Sequence, residues 1–383
     1  MRRELKSMSE KKRALFIDLL RGLVLIIMIE VHVFNELLIP SIKAERWFSY
    51  LNFINGLVAP SFLFVSGLVF VLSLQRGVEE LRKFGSVFWK KVGRIFLIFI
   101  AGYSLHLPYF SLSKILNNPS QSVLNNLFMV DVLQCIAAGL LFLLLARIIF
   151  KNADHFYIFV FVILILVLAV SPIAWKTNLT NYLPLPLASY FNRMNGSLFP
   201  VLPWFNFIFA GALASKFYVM AKENNIERKF INQLLIAGVL LFIMSLVILN
   251  YILPPDLRAI IPNPFFFLQR LGVVILLLAA CWFYMEKTAK GTKFILDVSR
   301  ESLLVYWLHL QLIYRYVLGG ESLVTLFGQK LNVLEASVVT VILVVLMIFA
   351  AKGWGKVKAK YPSAARWSVI SLISLAVLIF MLT

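Results

Sequence analysis

Apolar runs of membrane-crossing length recur along this 383-residue chain, and they limit its folds more than any other feature. Eleven such runs, at 14–34, 57–74, 92–111, 127–149, 155–173, 198–219, 232–253, 265–285, 301–318, 333–351 and 367–383, are dominated by Leu, Ile, Val and Phe. A helix of roughly 20 residues, at about 1.5 Å per residue, crosses a hydrocarbon core of about 30 Å. A soluble globule is excluded, because 61% of the chain is apolar, only 14% is charged and mean hydropathy is +0.87. The expected fold is all-α: a polytopic transmembrane helical bundle of about eleven spans. It forms a single domain over 14–383 behind a basic cytoplasmic segment, 1–13, and no hydrophilic stretch is long enough for a soluble domain.

A net charge of +19 would point a soluble protein toward nucleic acid, so the position of the charge decides its meaning. With the N-terminus cytoplasmic, the segments 1–13, 76–94, 147–151, 216–229, 287–300 and 352–366 hold 27 of the 37 Lys and Arg. The opposite loops hold seven, while Arg21, Arg270 and Arg315 lie within spans. This alternation is the positive-inside bias. It places the N-terminus inside and the C-terminus outside a cytoplasmic (inner or plasma) membrane, and no basic-aromatic groove suggests nucleic acid. The first apolar run continues to His32 without a small-residue cleavage site and reads as a retained helix. Cys135 and Cys281 sit inside apolar runs as small core residues, and the four histidines are scattered over four helices without ligand spacing, so no metal site is expected.

An ionisable group in hydrocarbon costs roughly 2.5 to 3.5 kcal/mol on insertion scales, so polar residues retained inside spans locate function. The first helix is richest, with Asp18, Arg21, Glu30, His32, Asn35 and Glu36. Arg21 and His32 are eleven residues apart, so at about 100° per residue they share a face roughly 16 Å apart along the axis. Asp18 lies one turn before Arg21 and neutralises it; alone, that pair reads as structural. His32 reads as a general base, since other outer helix ends bring it His106, Asp131 and Gln134. Glu30, Glu36 and Asp131 all stand as its carboxylate partner, although Glu30 projects away from the Arg21 face. Of Asn35, Gln134 and Arg270, Gln134 is the favoured stabiliser of a developing oxyanion.

These residues carry a resemblance. Asp18-Leu-Leu-Arg21-Gly22, followed by His32 after ten residues, resembles the Arg-x10-His first helix of integral-membrane acyltransferases, the acyltransferase-3 family among them, and most of all the bacterial relatives of heparan-α-glucosaminide N-acetyltransferase. Ala59-Pro60-Ser61-Phe62-Leu63-Phe64-Val65-Ser66-Gly67, Asp131-Val132-Leu133-Gln134, Phe199-Pro200-Val201-Leu202-Pro203-Trp204 and Ser302-Leu-Leu-Val-Tyr306-Trp-Leu-His309 resemble further segments of that family, in order. The stretch around Glu45-Arg46-Trp47, where the lysosomal member carries its catalytic histidine, has none here, so His32 rests on the broader pattern. The resemblance implies an acyl-CoA-dependent transferase that moves an acyl group, most simply acetyl from acetyl-CoA, to a hydroxyl or amine of a carbohydrate or lipid-linked glycan outside.

On that reading the catalytic set is His32, Asp131, Gln134 and Glu36. Arg21, Lys90, Lys91, Arg94 and Ser66 face the donor, with Lys90, Lys91 and Arg94 flanking the N-terminus of the third span; the same three cations equally satisfy the positive-inside bias. Asn35, His106, Arg270, His309 and Trp204 face the acceptor; His309 also reads as a core histidine bonded to a neighbouring helix. Gly67 and Gly93 would let backbones close on a tunnel, or serve helix packing. Membrane lipids are the remaining partners, and a homo-oligomer is compatible with the sequence. A proton-coupled secondary transporter is the rival class, but a carrier should gather its polar groups near the midplane, whereas this chain divides a guanidinium and an imidazole between the two ends of one helix. A scramblase or passive scaffold would depend on no single side chain.

Overall fold

A computed structural model describes residues 2–75, 77–288, 291–315 and 320–383, with side chains from residue 15 onward. The side chains of the basic segment 1–13, the inner-loop Arg76 and Lys290, and the end of the predicted span 301–318 lie outside the described residues. Among those described, the regular secondary structure is helical; Leu38 and Leu331 form an isolated bridge. The principal helices are α1 (Arg2–Leu37), α2 (Val58–Leu74), α3 (Ser86–His106), α4 (Val132–Ile149), α5 (Ala153–Lys176), α6 (Val201–Glu223), α7 (Glu227–Val247), α8 (Pro264–Lys287), α9 (Lys293–Arg300), α10 (Ser302–Tyr314), α11 (Val333–Lys360) and α12 (Pro362–Leu382).

A helix lies on each predicted span. Among the described residues eight segments, those of α2, α4 to α8, α11 and α12, are long and apolar enough to cross a membrane by length and composition. The other three are α1, α3 and α10. Helix α1 carries Asp18, Arg21, Glu30 and Glu36, α3 carries Lys90, Lys91 and Arg94, and α10 has 13 residues.

Helix boundaries follow local chemistry. Pro40 disfavours helix at the residue before it, so α1 stops at Leu37 and the chain crosses to Leu331, with the Ile39 amide donating to the Leu331 carbonyl at 3.1 Å. The third span begins at Ser86, not at 92, and ends before Pro108. The fourth begins only at Val132, because Asp131 caps it, its Oδ1 accepting from the Val132 amide at 2.7 Å. Helix α6 is kinked at Leu202, and the Leu202 carbonyl accepts from Trp175 Nε1 at 2.7 Å.

The helices gather into two compact units, residues 1–58, 109–118 and 281–383 in the first and 59–108 and 119–280 in the second. In the first, α1 packs against α9, α10 and α11, burying Phe16, Leu20, Leu25, Val33 and Leu37. A Glu301–Lys358 ion pair of 2.6 Å ties the α9–α10 corner to α11. In the second unit, α5 and α3 pack on α6 and α4 respectively, and α2 crosses α6 at glycines. Outward-facing Ile158, Phe161, Val162, Ile165 and Leu166 of α5, and Leu372, Leu375 and Leu378 of α12, are exposed, as lipid-facing surfaces require.

Candidate active site

The first unit brings together the α1 groups singled out by spacing. Arg21 Nη2 donates to Asp18 Oδ1 at 2.8 Å, and its Nε donates to Ser299 Oγ on α9 at 3.0 Å. The approach depends on Gly22: a Cβ there would collide with the Ile295 carbonyl and side chain, one turn before Ser299. Arg21 is therefore held against α9 in a half-buried position by contacts that include the Asp18 carboxylate and the Ser299 hydroxyl.

Eleven residues on, His32 meets the next helix, α10. Its Nδ1 lies 3.0 Å from Tyr314 Oη, and that hydroxyl donates to Glu36 Oε1 at 3.2 Å. The Tyr314 ring stands edge-on to the imidazole at 5.7 Å between centroids, and the His309 ring lies 5.5 Å from it. Thus α1 turns both predicted side chains toward consecutive helices, α9 and α10. His309 is fully buried; its Nδ1 donates to the Val305 carbonyl of its own helix at 2.7 Å, and its Nε2 has no hydrogen-bond partner among the described residues. The expected bond from His309 to a neighbouring helix is replaced by this bond within α10 and by the ring contact with His32.

The three candidate carboxylates have different hydrogen-bond partners. Glu36 reaches His32 through Tyr314. Glu30 accepts from Asn55 Nδ2 at 3.4 Å. Asp131 lies in the second unit, where its Oδ2 is 3.0 Å from His106 Nε2. Asn35 is exposed, and its carbonyl accepts from Lys43 Nζ at 2.8 Å.

In the second unit Asp131 does two jobs at once, pairing with His106 and capping α4. Gln134 completes the cap, its Oε1 accepting from the Asp131 amide at 3.3 Å and its Nε2 donating to the Met129 carbonyl at 3.4 Å. It is fully buried against Gly102, so both of its polar atoms serve the start of α4. Asp131→Ala is accordingly expected to lower stability by about 1 kcal/mol, while Asp131→Asn, which keeps a cap acceptor, costs less. Thermal unfolding in detergent measures both. Near this cap Tyr103 and Tyr190 share a 2.8 Å hydrogen bond, and burial pushes the Tyr190 phenol above its usual range.

The remaining candidates are dispersed within that unit. Lys90 and Lys91 fall in the second turn of α3 and Arg94 in the third, not beside its N-terminus, because the helix starts at Ser86. Lys90 and Arg94 are exposed, whereas Lys91 donates to Ser73 Oγ at 2.5 Å and lies over the Phe70 ring. Ser66 Oγ donates back to the Phe62 carbonyl at 2.7 Å. The Trp204 ring packs on Phe199 at 4.7 Å, and its buried Nε1 has no partner among the described residues. Arg270 is half-buried over the Phe266 ring at 5.8 Å. Gly67 serves helix packing, and Gly93 faces open space.

Sequence reasoning missed Tyr314 and Ser299. Neither carries a local signal: each lies 278 or more residues from its partner on α1, and each stands among the apolar or mixed residues of a short helix.

Long apolar helices whose retained charges are held in pairs and relays define an integral membrane protein with a built polar site. The catalytic family of heparan-alpha-glucosaminide N-acetyltransferase matches residues 13–254, more than half of the chain, and the protein belongs to that family of membrane acetyltransferases. No match was found among curated proteins. The match includes Arg21, His32 and Glu36 and ends before Ser299, His309 and Tyr314, which hold them.

Proposed function

We propose that the protein transfers an acetyl group from cytoplasmic acetyl-CoA to a hydroxyl or amine of a glycan-type acceptor at the outer face of a cytoplasmic membrane, with His32 as general base. The observation that carries this reading is the arrangement on α1: a guanidinium held by Asp18 and Ser299 at mid-helix, and an imidazole held by Tyr314 eleven residues on, near the C-terminal end. With the orientation predicted by the charge bias, Arg21 is the nearer of the two to the donor's compartment and favours its anionic or amide groups. His32 removes the proton from the acceptor hydroxyl or amine as that atom attacks the thioester carbonyl. The carbon–sulfur bond breaks, and the imidazolium returns its proton to the departing CoA thiolate, so acid and base duties alternate on one ring.

Purified protein in sealed vesicles tests the reaction. Radiolabelled acetyl-CoA is supplied on one side and amino sugars, neutral oligosaccharides or a lipid-linked glycan on the other. Label covalently attached to acceptor on the far side is the expected result. Acceptor accumulating unmodified inside the vesicles, with no acetylated product, would instead establish a carrier and end the enzymatic reading.

A further inference from the structure

The geometry points to Tyr314 as the residue that fixes which nitrogen of His32 carries the proton. This inference rests on His32 being the base proposed above, and it follows from counting donors. A tyrosine hydroxyl has one proton, and an ionised carboxylate can only accept. Tyr314 Oη lies within hydrogen-bond distance of both His32 Nδ1 and Glu36 Oε1, at 3.0 and 3.2 Å. Because the phenolic proton goes to Glu36, the Tyr314 oxygen is left to accept, and His32 Nδ1 must be the donor.

The neutral ring is then the Nδ1–H tautomer, with the lone pair on Nε2. That is the nitrogen that takes the acceptor's proton. Glu36 acts at one remove: it holds the tyrosine proton, which keeps the tyrosine oxygen open to the imidazole. When the ring becomes an imidazolium, the same oxygen continues to accept from Nδ1, so the relay supports the charged form without moving a proton along it.

The neighbouring histidine matches this assignment. His309 likewise donates Nδ1–H to an oxygen, the Val305 carbonyl at 2.7 Å, and its Nε2 has no hydrogen-bond partner among the described residues. It is fully buried, with its ring 5.5 Å from that of His32. The surroundings of His32 thus include a phenol and its carboxylate on the Nδ1 side and a second imidazole beside its ring. Tyr314 is a positioning residue: it touches the base and acts through it.

The experiment compares full-length wild type with Tyr314→Phe, Glu36→Gln and His32→Ala, all with nitrogen-15 in the histidine rings. The resonance pair missing from His32→Ala identifies His32. In wild type that pair should report Nδ1 protonated and Nε2 unprotonated. Tyr314→Phe keeps the edge-on ring and removes the oxygen, so it should shift His32 toward the Nε2–H form. In the transfer assay it should lower kcat at least about tenfold, with KM for acetyl-CoA little changed. Glu36→Gln still offers an oxygen to Tyr314 and should retain the tautomer more fully than Tyr314→Phe.

A His32 signal that shows Nε2–H in wild type, or that is unaltered in Tyr314→Phe alongside an unaltered kcat, overturns the inference. The two readings fail separately. Full transfer by His32→Ala would end the role of His32 as base, yet the ring signals would still decide whether Tyr314 sets the tautomer.

Discussion

His32→Ala is expected to lower kcat for acetyl transfer by about 10²- to 10⁴-fold, the range that a positioned general base contributes. The direction follows from the chemistry of the acceptor. A sugar hydroxyl holds its proton far above neutral pH, so its oxygen becomes an effective nucleophile toward a thioester only as that proton leaves. Loss of the imidazole leaves water to take the proton, without the alignment that α1 and Tyr314 give to the ring.

Binding of donor should survive the substitution. Arg21 lies eleven residues away and is held by Asp18 and Ser299, contacts that His32 does not share. KM for acetyl-CoA should therefore stay within a fewfold of wild type, which separates loss of a transition-state interaction from loss of ground-state binding. Folding is checked by thermal unfolding in detergent; truncation of a half-buried side chain at the end of α1 leaves the buried stripe of Phe16, Leu20, Leu25 and Val33 intact. Wild-type turnover in a His32→Ala protein that unfolds at the wild-type temperature would remove His32 from the mechanism.

What the sequence could show depended on distance along the chain. Arg21 and His32 were legible because helical periodicity alone assigns them one face, and α1 indeed turns them to α9 and α10. The long apolar helices were legible because the bilayer imposes their length, and eight of those among the described residues are long and apolar enough to cross it. Boundaries slipped where polar residues replaced apolar ones without ending the helix: Lys90 and Lys91 lie inside α3, so a window of pure hydropathy starts it too late. Asp131 and Gln134 were found as polar residues at a helix start, but the same residue types build a capping box, and it is the cap that holds Gln134. Tyr314 was out of reach for a different reason. Its relation to His32 and Glu36 arises from the packing of α10 on α1, and a tyrosine after an apolar stretch has many ordinary uses at a membrane interface.

Gly211→Leu is expected to abolish the folded state, for reasons the bilayer makes stricter than water would. Lipid chains solvate apolar side chains as well as other side chains do, so transmembrane helices associate largely through close packing, and small residues permit the closest approach. Helices α2 and α6 cross in this manner. A Cβ on Gly211 would strike the Phe64 carbonyl of α2, with the Leu68 amide nitrogen 2.9 Å away, and a Cβ on Gly67 would strike the Ile208 carbonyl of α6. The obstructing atoms are backbone on both sides, so no rotamer change relieves the clash and the two helices must separate. Their separation would loosen fully buried Phe64, Ile208 and Phe209 together, and the cost should exceed about 3 kcal/mol, the upper end of ordinary overpacking. The readout is loss of monodisperse protein in detergent and of a cooperative thermal transition. Gly93→Ala is the internal comparison: nothing lies within 4 Å of its Cβ position, so there the better helix propensity of alanine should stabilise α3 by roughly 1 kcal/mol. A folded Gly211→Leu protein with wild-type unfolding temperature would mean that α2 and α6 do not meet backbone to backbone.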